Sequence, residues 1–395
     1  MHKGILSRWL NSHEVIGHAV RAAVLVRVVG ALLTGGRLSL THLGRNLSGN
    51  AREKHQIKTV DRLLGNSHLH EERLGVYRAI ARTLLSDARQ PVIVVDWSDF
   101  QLGRECVMLK AAIPIGGRAI SIYERAFPFA QYNSPGAHAE FLRELHAVLP
   151  QNCRPIVITD AGFRGPWFRQ VESYGWHWVG RIRNKIKYFR EDTGKWCFTN
   201  ALYAQATTRM RYLGEVLLSR RLHYRFRLYI MRAYKPRKGR PSSSRPKHHH
   251  TTMYRERHRA PWLLATSLPH QRGSERRIKQ LYAQRMQIEE TFRDLKSHRW
   301  GFGLRYALSA RPKRLDILLL LGTLASLVAW LTGLVARNLQ IERHFQANTE
   351  RRRRVLSTVF IGRRLLRRLA KPLTAQQIAA ALLDLTTMIH HASPS

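Results

Sequence analysis

Cysteine is nearly missing from this chain: three residues (Cys106, Cys153 and Cys197) among 395, with no Cys-x2-Cys pair. A disulfide scaffold and a thiolate zinc site are thereby excluded, and a reducing compartment fits. Acids are scarce too, with 26 Asp and Glu against 67 Lys and Arg, a formal charge of +41. The basic residues are spread along the whole length rather than gathered in a tail. Such a chain calls for a polyanionic partner, nucleic acid ahead of an acidic membrane. A secretory signal is not expected, because the apolar stretch at 16–34 is interrupted by His18, Arg21 and Arg27. Only residues 317–336 run without charge for a length that could span a bilayer. Arginines flank that segment on both sides, so no positive-inside asymmetry marks it. A helix buried on all sides in a large protein reads the same way, and with no second span it is the expectation. No internal repeat is visible.

What is present changes character along the chain. Residues 1–88 carry apolar positions at helical spacing and hardly any strand signal. Within them, two short helices joined by a Gly-containing turn, the second bearing Lys54, His55, Lys58 and Arg62, suggest a helix-turn-helix. A small basic bundle with no sequence reading fits equally. From Pro91 onward strands take over: 92–95, then a hairpin of 106–115 and 119–127 around Gly116-Gly117. A helix at 137–149, a strand at 155–159, a helix at 166–174 and a strand at 177–182 complete a β-β-β-α-β-α-β order. That order predicts an α/β (α+β) fold with a ribonuclease-H-like sheet. Residues 184–260 break the rhythm with alternating runs at 211–218 and 224–233. Their loop at 235–250, ending in His248–His250, is too rich in Pro, Ser and charge to pack. Three adjacent histidines lack the spacing of one metal shell. The core resumes at 262–266, and a basic stretch at 351–371 precedes an amphipathic helix at 374–390 with Thr374 as N-cap.

Two strands end abruptly in aspartate: VIVV before Asp96 and PIVIT before Asp160. Aspartate suits the carboxyl end of a strand, where sheet ligands gather, better than its interior. If the strands are parallel neighbours, two adjacent carboxylates need a cation, and hard oxygen ligands favour Mg²⁺ or Mn²⁺. A third carboxylate from a helix would complete a site for two ions about 4 Å apart, suited to displacement at phosphorus. Asp99 competes with Asp96, which directly ends the apolar run. Each aspartate alone could equally be a turn or cap residue.

Residues 281–296 supply that third carboxylate. As one α-helix, Tyr282, Arg285, Glu289 and Lys296 fall within roughly a 60° arc. Beside them run Ile288, Phe292 and Leu295, a stripe that would dock the helix on a core. Glu290 points about 100° away from the arc. The plain alternative is a solvated face of i,i+4 ion pairs.

The spacing Tyr-x2-Arg-x3-Glu-x6-Lys is matched without departure at Tyr282, Arg285, Glu289 and Lys296, and Asp96 and Asp160 precede it, 64 residues apart. With these residues the whole chain resembles the DDE transposases of bacterial insertion sequences, in the insertion-sequence-four family that carries this signature. The phrases DWSD at 96–99 and PWLLATSLP at 261–269, with the basic helical N-terminus, look closest to the branch typified by insertion sequence ten.

The resemblance implies cut-and-paste transposition. Asp96, Asp160 and Glu289 would be catalytic and hold two Mg²⁺ ions, with Mn²⁺ as a substitute. Arg285 and Lys296 would grip phosphates, and Tyr282 would contact the DNA backbone. Members of this branch free the element through a DNA hairpin with a flipped base stacked on Trp. Trp262, 27 residues before Glu289, matches that position; from the residues alone it reads as core. Arg181, closing the WVGR strand, would contact the DNA end.

The implied domains are 1–88 for binding DNA ends and 89–183 with 261–340 for the ribonuclease-H-like core. Residues 184–260 would form a β-rich insertion, and 341–395 a basic helical region for synapsis as a homodimer. The partners would be double-stranded terminal inverted repeats and target DNA, in the bacterial cytoplasm at the nucleoid, with no membrane. The rivals are a related nuclease or non-transposing DNA-binding derivative and, more remotely, a basic single-span membrane protein.

Overall fold

The computed structural model describes residues 2–100, 105–183, 186–219, 224–232, 260–347, 350, 354–368 and 372–392. The loop at 235–250 with its histidines, and the ends of the basic stretch at 351–371, lie outside the described residues. The fold is mixed α/β, with twelve α-helices and ten strands among the described residues. The chain forms two compact units: Met1–Pro155 with Met286–Ser393, and Ile156–Arg285.

The first unit begins with five helices: α1 (His2–Ser12), α2 (Ala19–Thr34), α3 (Leu40–Arg45), α4 (Glu53–Leu64) and α5 (Ser67–Leu85). Asn66 starts α5 by accepting the Leu69 N–H at 2.9 Å, which satisfies one of the orphan donors of a helix start. Helices α3 and α4 pack so closely at Gly44 that a Cβ there would sit 2.6 Å from the Ile57 Cα. Lys54, His55, Lys58 and Arg62 are all exposed on α4, while Val60, Leu63 and Leu64 are buried. Three antiparallel strands follow, in the order β3 (Arg118–Pro128), β2 (Cys106–Ile115), β1 (Val92–Asp99). The β2–β3 turn uses Gly116 and Gly117 at φ +56° and +82°, the left-handed pair that a two-residue hairpin of this twist requires. Helix α6 (Pro135–Val148) is capped by Ser134, whose hydroxyl accepts the Ala137 N–H.

The second unit holds β4 (Ile156–Thr159), α7 (Gly165–Ser173), β5 (His177–Ile182), β6 (Lys187–Arg190), β7 (Lys195–Phe198), β8 (Arg211–Leu218), β9 (Tyr224–Met231), β10 (Trp262–Thr266) and α8 (Ser274–Ala283). Its strands are ordered β4-β5-β10-β9-β8-β6-β7. Only β4 and β5 pair in parallel; every other described pairing in this unit is antiparallel. Phe168 of α7 stacks on Trp178 at 3.9 Å. Gly180 makes room for it, since a Cβ there would lie 2.4 Å from the Phe168 ring.

Back in the first unit come α9 (Met286–Lys296), α10 (Pro312–Asn338), α11 (Thr358–Leu366) and α12 (Ala375–Ala392). The long apolar segment is α10, and 94% of its most apolar 18-residue window is buried. It packs against β3, α2, α4, α5, α11 and α12, so its all-round apolarity is that of a core helix. Helix α11 crosses it at Gly333 and Gly362, where added Cβ atoms would collide with Thr358 O and Ala329 O. Thr374 and Gln377 form a reciprocal capping box at the start of α12, at 2.9 and 3.2 Å.

The single helix expected over 281–296 is interrupted. Helix α8 ends at Ala283, and α9 begins at Met286. Between them the Gln284 and Arg285 N–H groups donate back three residues, to Leu281 O and Tyr282 O at 3.1 Å each. This tightened turn ends α8 in the usual manner of helix termini. Tyr282 and Arg285 therefore do not share a helical arc with Glu289 and Lys296; only the latter pair does.

Candidate active site

In the first unit, Asp96 stands within β1, not at its end, because the ladder to β2 continues from Asp96↔Lys110 to Asp99↔Val107. Its Oδ1 accepts the Trp97 N–H at 2.9 Å. Directly opposed residues of an antiparallel pair project to the same face, so Asp96 and Lys110 share one. Lys110 is buried there; its Nζ is 2.7 Å from the Glu124 carboxylate and 5.0 Å above the Phe292 ring. Helix α9 thus covers the sheet face that carries Asp96.

That helix is fixed firmly. The Thr291 hydroxyl accepts the Ala119 N–H at 2.7 Å and donates to Ala119 O at 3.0 Å. The Gly117 N–H donates to Gln287 Oε1, and Arg118 pairs with Asp294 at 2.7 Å. Ile288, Phe292 and Leu295 are buried, as the stripe predicts, and Glu289 is half-buried.

Both competing carboxylates are held by cations. Glu290 binds Arg293 at 2.8 Å and lies 3.6 Å from Arg118. Asp99 is bound by Lys296, which also donates to Ser98 Oγ at 2.7 Å. Burial pushes the Asp99 carboxyl up, but the Lys296 bond and charge outweigh it and hold it below the usual carboxylate range. Lys296 itself is buried, and burial draws its ammonium below the ordinary lysine value against the pull of Asp99.

In the second unit, Asp160 follows β4 directly, half-buried, and its Oδ1 accepts the Gly162 N–H at 2.7 Å. A Cβ at position 162 would come within 3.0 Å of that oxygen, so Gly162 leaves the carboxylate room. Arg181 on β5 opposes Leu264 on β10, and by alternation Trp262 shares their face. Tyr282 of α8 packs on it, its ring 4.9 Å from Trp262 and edge-on at 74°.

Arg181 is buried; its Nη2 donates to Ala260 O at 2.8 Å and Pro261 O at 3.2 Å. Its Nε is buried without a hydrogen-bond partner. Burial draws the Arg181 guanidinium down to about 10. Tyr282 is also buried, and burial raises its hydroxyl; Arg285, Arg181 and Arg183 pull it back while Asp160 adds to the rise. Asp160, Arg181, Arg183, Tyr282 and Arg285 thus bear on one another, with cations outnumbering the acid.

Sequence reasoning missed Arg183, which directly follows β5, two residues beyond Arg181. It also missed the Lys110–Glu124 pair. The signal for that pair was Lys110, the lone charge in an otherwise apolar β2, with Glu124 opposite it in the same hairpin.

Among the described residues no three His, Cys, Asp or Glu side chains stand together as a ready-made metal centre. The donor chemistry nevertheless suits a hard divalent ion. Asp96, Asp160 and Glu289 are half-buried carboxylates, and a backbone N–H orients one oxygen of each aspartate.

Half-buried carboxylates and buried cations on a mixed α/β core fit an enzyme that processes nucleic acid. Residues 87–325 match the family described as transposase DDE domain, well over half of the chain. The protein belongs to the DDE transposases, metal-dependent polynucleotidyl transferases and nucleases that act on DNA, and its core is ribonuclease-H-like. No curated protein matches the chain.

Proposed function

We propose that the protein performs cut-and-paste transposition of an insertion sequence of the insertion-sequence-four family, in the branch typified by insertion sequence ten. The observation that carries this reading is the complete Tyr282–Arg285–Glu289–Lys296 spacing inside a matched DDE domain. Asp96, Asp160 and Glu289 would hold two Mg²⁺ ions. Ions held there would supply activation of a water or a 3′-hydroxyl and stabilisation of the leaving oxygen. Gly162 and the Trp97 N–H keep the two aspartates oriented for that task.

Arg285 holds a phosphate beside the scissile bond, and Lys296 does the same by exchanging Asp99 for phosphate. Tyr282 supports the backbone contact and the Trp262 ring. Trp262 stacks a flipped base during hairpin formation, and the buried Arg181, with one N–H unspent, contacts the DNA end. Residues 1–88 bind the terminal repeats, with the exposed Lys54, His55, Lys58 and Arg62 of α4 as their DNA-facing edge. Residues 89–183 and 261–340 form the catalytic domain, 184–260 its insertion, and 341–395 bring two copies together in synapsis. The protein works in the cytoplasm, at the nucleoid.

The test is joining of a pre-cut element end to plasmid DNA with Mg²⁺. Joined product is expected; cleavage with no joining would instead favour a nuclease.

A further inference from the structure

We propose that the loop following α9, residues 297–306, is a stacking platform for an unpaired DNA base, a role distinct from that of Trp262. The proposal rests on the reading of the protein as a DNA strand transferase. Trp300 is 58% exposed and Tyr306 43% exposed, unusual for large rings on a loop so tightly built. Phe302 N–H donates to Asp294 O at 2.9 Å, Gly301 and Gly303 N–H to Ser297 O, and Leu38 N–H to Phe302 O at 2.8 Å. A Cβ at Gly301 would overlap Asp294 O, so the turn itself demands glycine. Arg363 anchors the Trp300 carbonyl at 3.0 Å, fixing the backbone while the ring stays out. A loop specified this closely could have buried its tryptophan; it displays it.

The charges around the rings point to nucleic acid. The Arg299 guanidinium lies 5.0 Å from the Trp300 ring centre, and Arg37 lies 5.2 Å from that of Tyr306. His298 meets the Tyr306 ring edge-on at 5.6 Å. Residues 297–311 contain Arg299, Arg305 and Arg311 and no acid. Arg305 is near enough to influence both Asp99 and Lys296, so the loop adjoins the end of β1. Cations beside exposed rings bind a phosphate backbone and offer a base its π-face. A paired base hides its faces in the stack, so such a surface selects unpaired ones.

The full-length chain is tested without metal against a single-stranded oligo(dT) and a blunt duplex. Trp300→Ala should weaken oligo(dT) binding about 10-fold, the scale of one lost base–aromatic stack, and leave duplex binding unchanged. Trp300→Phe should keep most of the affinity, and Trp300→Leu, apolar without a π-face, should lose it. A 2-aminopurine strand should be quenched by wild type and not by Trp300→Ala. Equal oligo(dT) affinity for wild type and Trp300→Ala would overturn the platform, as would an equal loss on both DNAs. A change of oligomeric state in Trp300→Ala would likewise overturn it, marking a protein interface. Failure of the wild type to bind either DNA would overturn the transposase reading itself.

Discussion

Two clusters of buried charge, one in each compact unit, are handled in opposite ways. In the first, buried or half-buried cations have acids beside them: Lys110 with Glu124, Lys296 with Asp99, Arg118 with Asp294. In the second, Arg181 is buried against backbone carbonyls, and the groups around Tyr282 are three arginines and one aspartate. A neutralised framework makes a stiff mount for metal-holding carboxylates. A guanidinium buried against carbonyl oxygens, as Arg181 is, costs folding energy that a phosphate would relieve.

Cutting a pair in the first unit should do the most damage. Glu124→Leu leaves Lys110 buried and alone, and should destabilise the protein by about 3–5 kcal/mol in urea unfolding. The double variant with Lys110→Met should recover most of it; no recovery would mean that Glu124 acts instead through packing or through the hydrogen bond it accepts from the Thr323 hydroxyl.

His138 gives a somewhat smaller effect in the same unit. Burial draws its imidazole down to about 4, and its Nε2 lies 3.1 Å from the Trp97 Nε1–H, which donates to it. The folded protein therefore binds this proton less readily than the unfolded chain. The resulting stability is present above the unfolded value of 6.5 and is lost as pH falls from there toward 4. His138→Gln, which can still accept from Trp97, should remove on the order of 2–3 kcal/mol of that acid dependence. An unchanged pH slope would show that the imidazole protonates freely in the fold.

Arg181→Met should behave unlike either. Stability should stay level or rise by about 1 kcal/mol, because a desolvated cation is removed, while DNA-end binding weakens. A large loss of stability would mean that Arg181 is held in the fold as firmly as the paired Lys110. Among the DNA contacts the effects are smaller still. Arg285→Gln should lower the salt dependence of end binding by about one in the log–log slope. Asp99→Asn, which releases Lys296, should tighten binding; if it does not, Lys296 makes no phosphate contact.

Much of this was legible in the chain itself. Every strand from β1 to β5 was readable, because short β-branched runs between glycines and polar turns leave little choice. Ile288, Phe292 and Leu295 gave the buried side of α9 through their period. The break at Gln284–Arg285 was not legible: no Gly or Pro marks it, and it arises from hydrogen bonding at the end of α8. The end of β1 was misjudged because partnering by β2 carries the ladder past the apolar run to Asp99. The short β6 and β7 hairpin was missed because its strands are half-exposed and weakly patterned. For the site, Asp160 after β4 and the shared helical face of Glu289 and Lys296 were visible, whereas the partners of Lys296 and Arg181 depend on long-range packing.

The most direct test is cleavage of DNA bearing the element's own end, with Mg²⁺, by wild type and Asp160→Ala. Asp160 belongs to the proposed metal-holding set and also bears on Tyr282, so the test reaches both the carboxylates and the arginine cluster. The account predicts a fall in cleavage of about 10³-fold, the scale of removing a transition-state electrostatic partner, with end binding nearly unchanged. Cleavage by Asp160→Ala at the wild-type rate would contradict it.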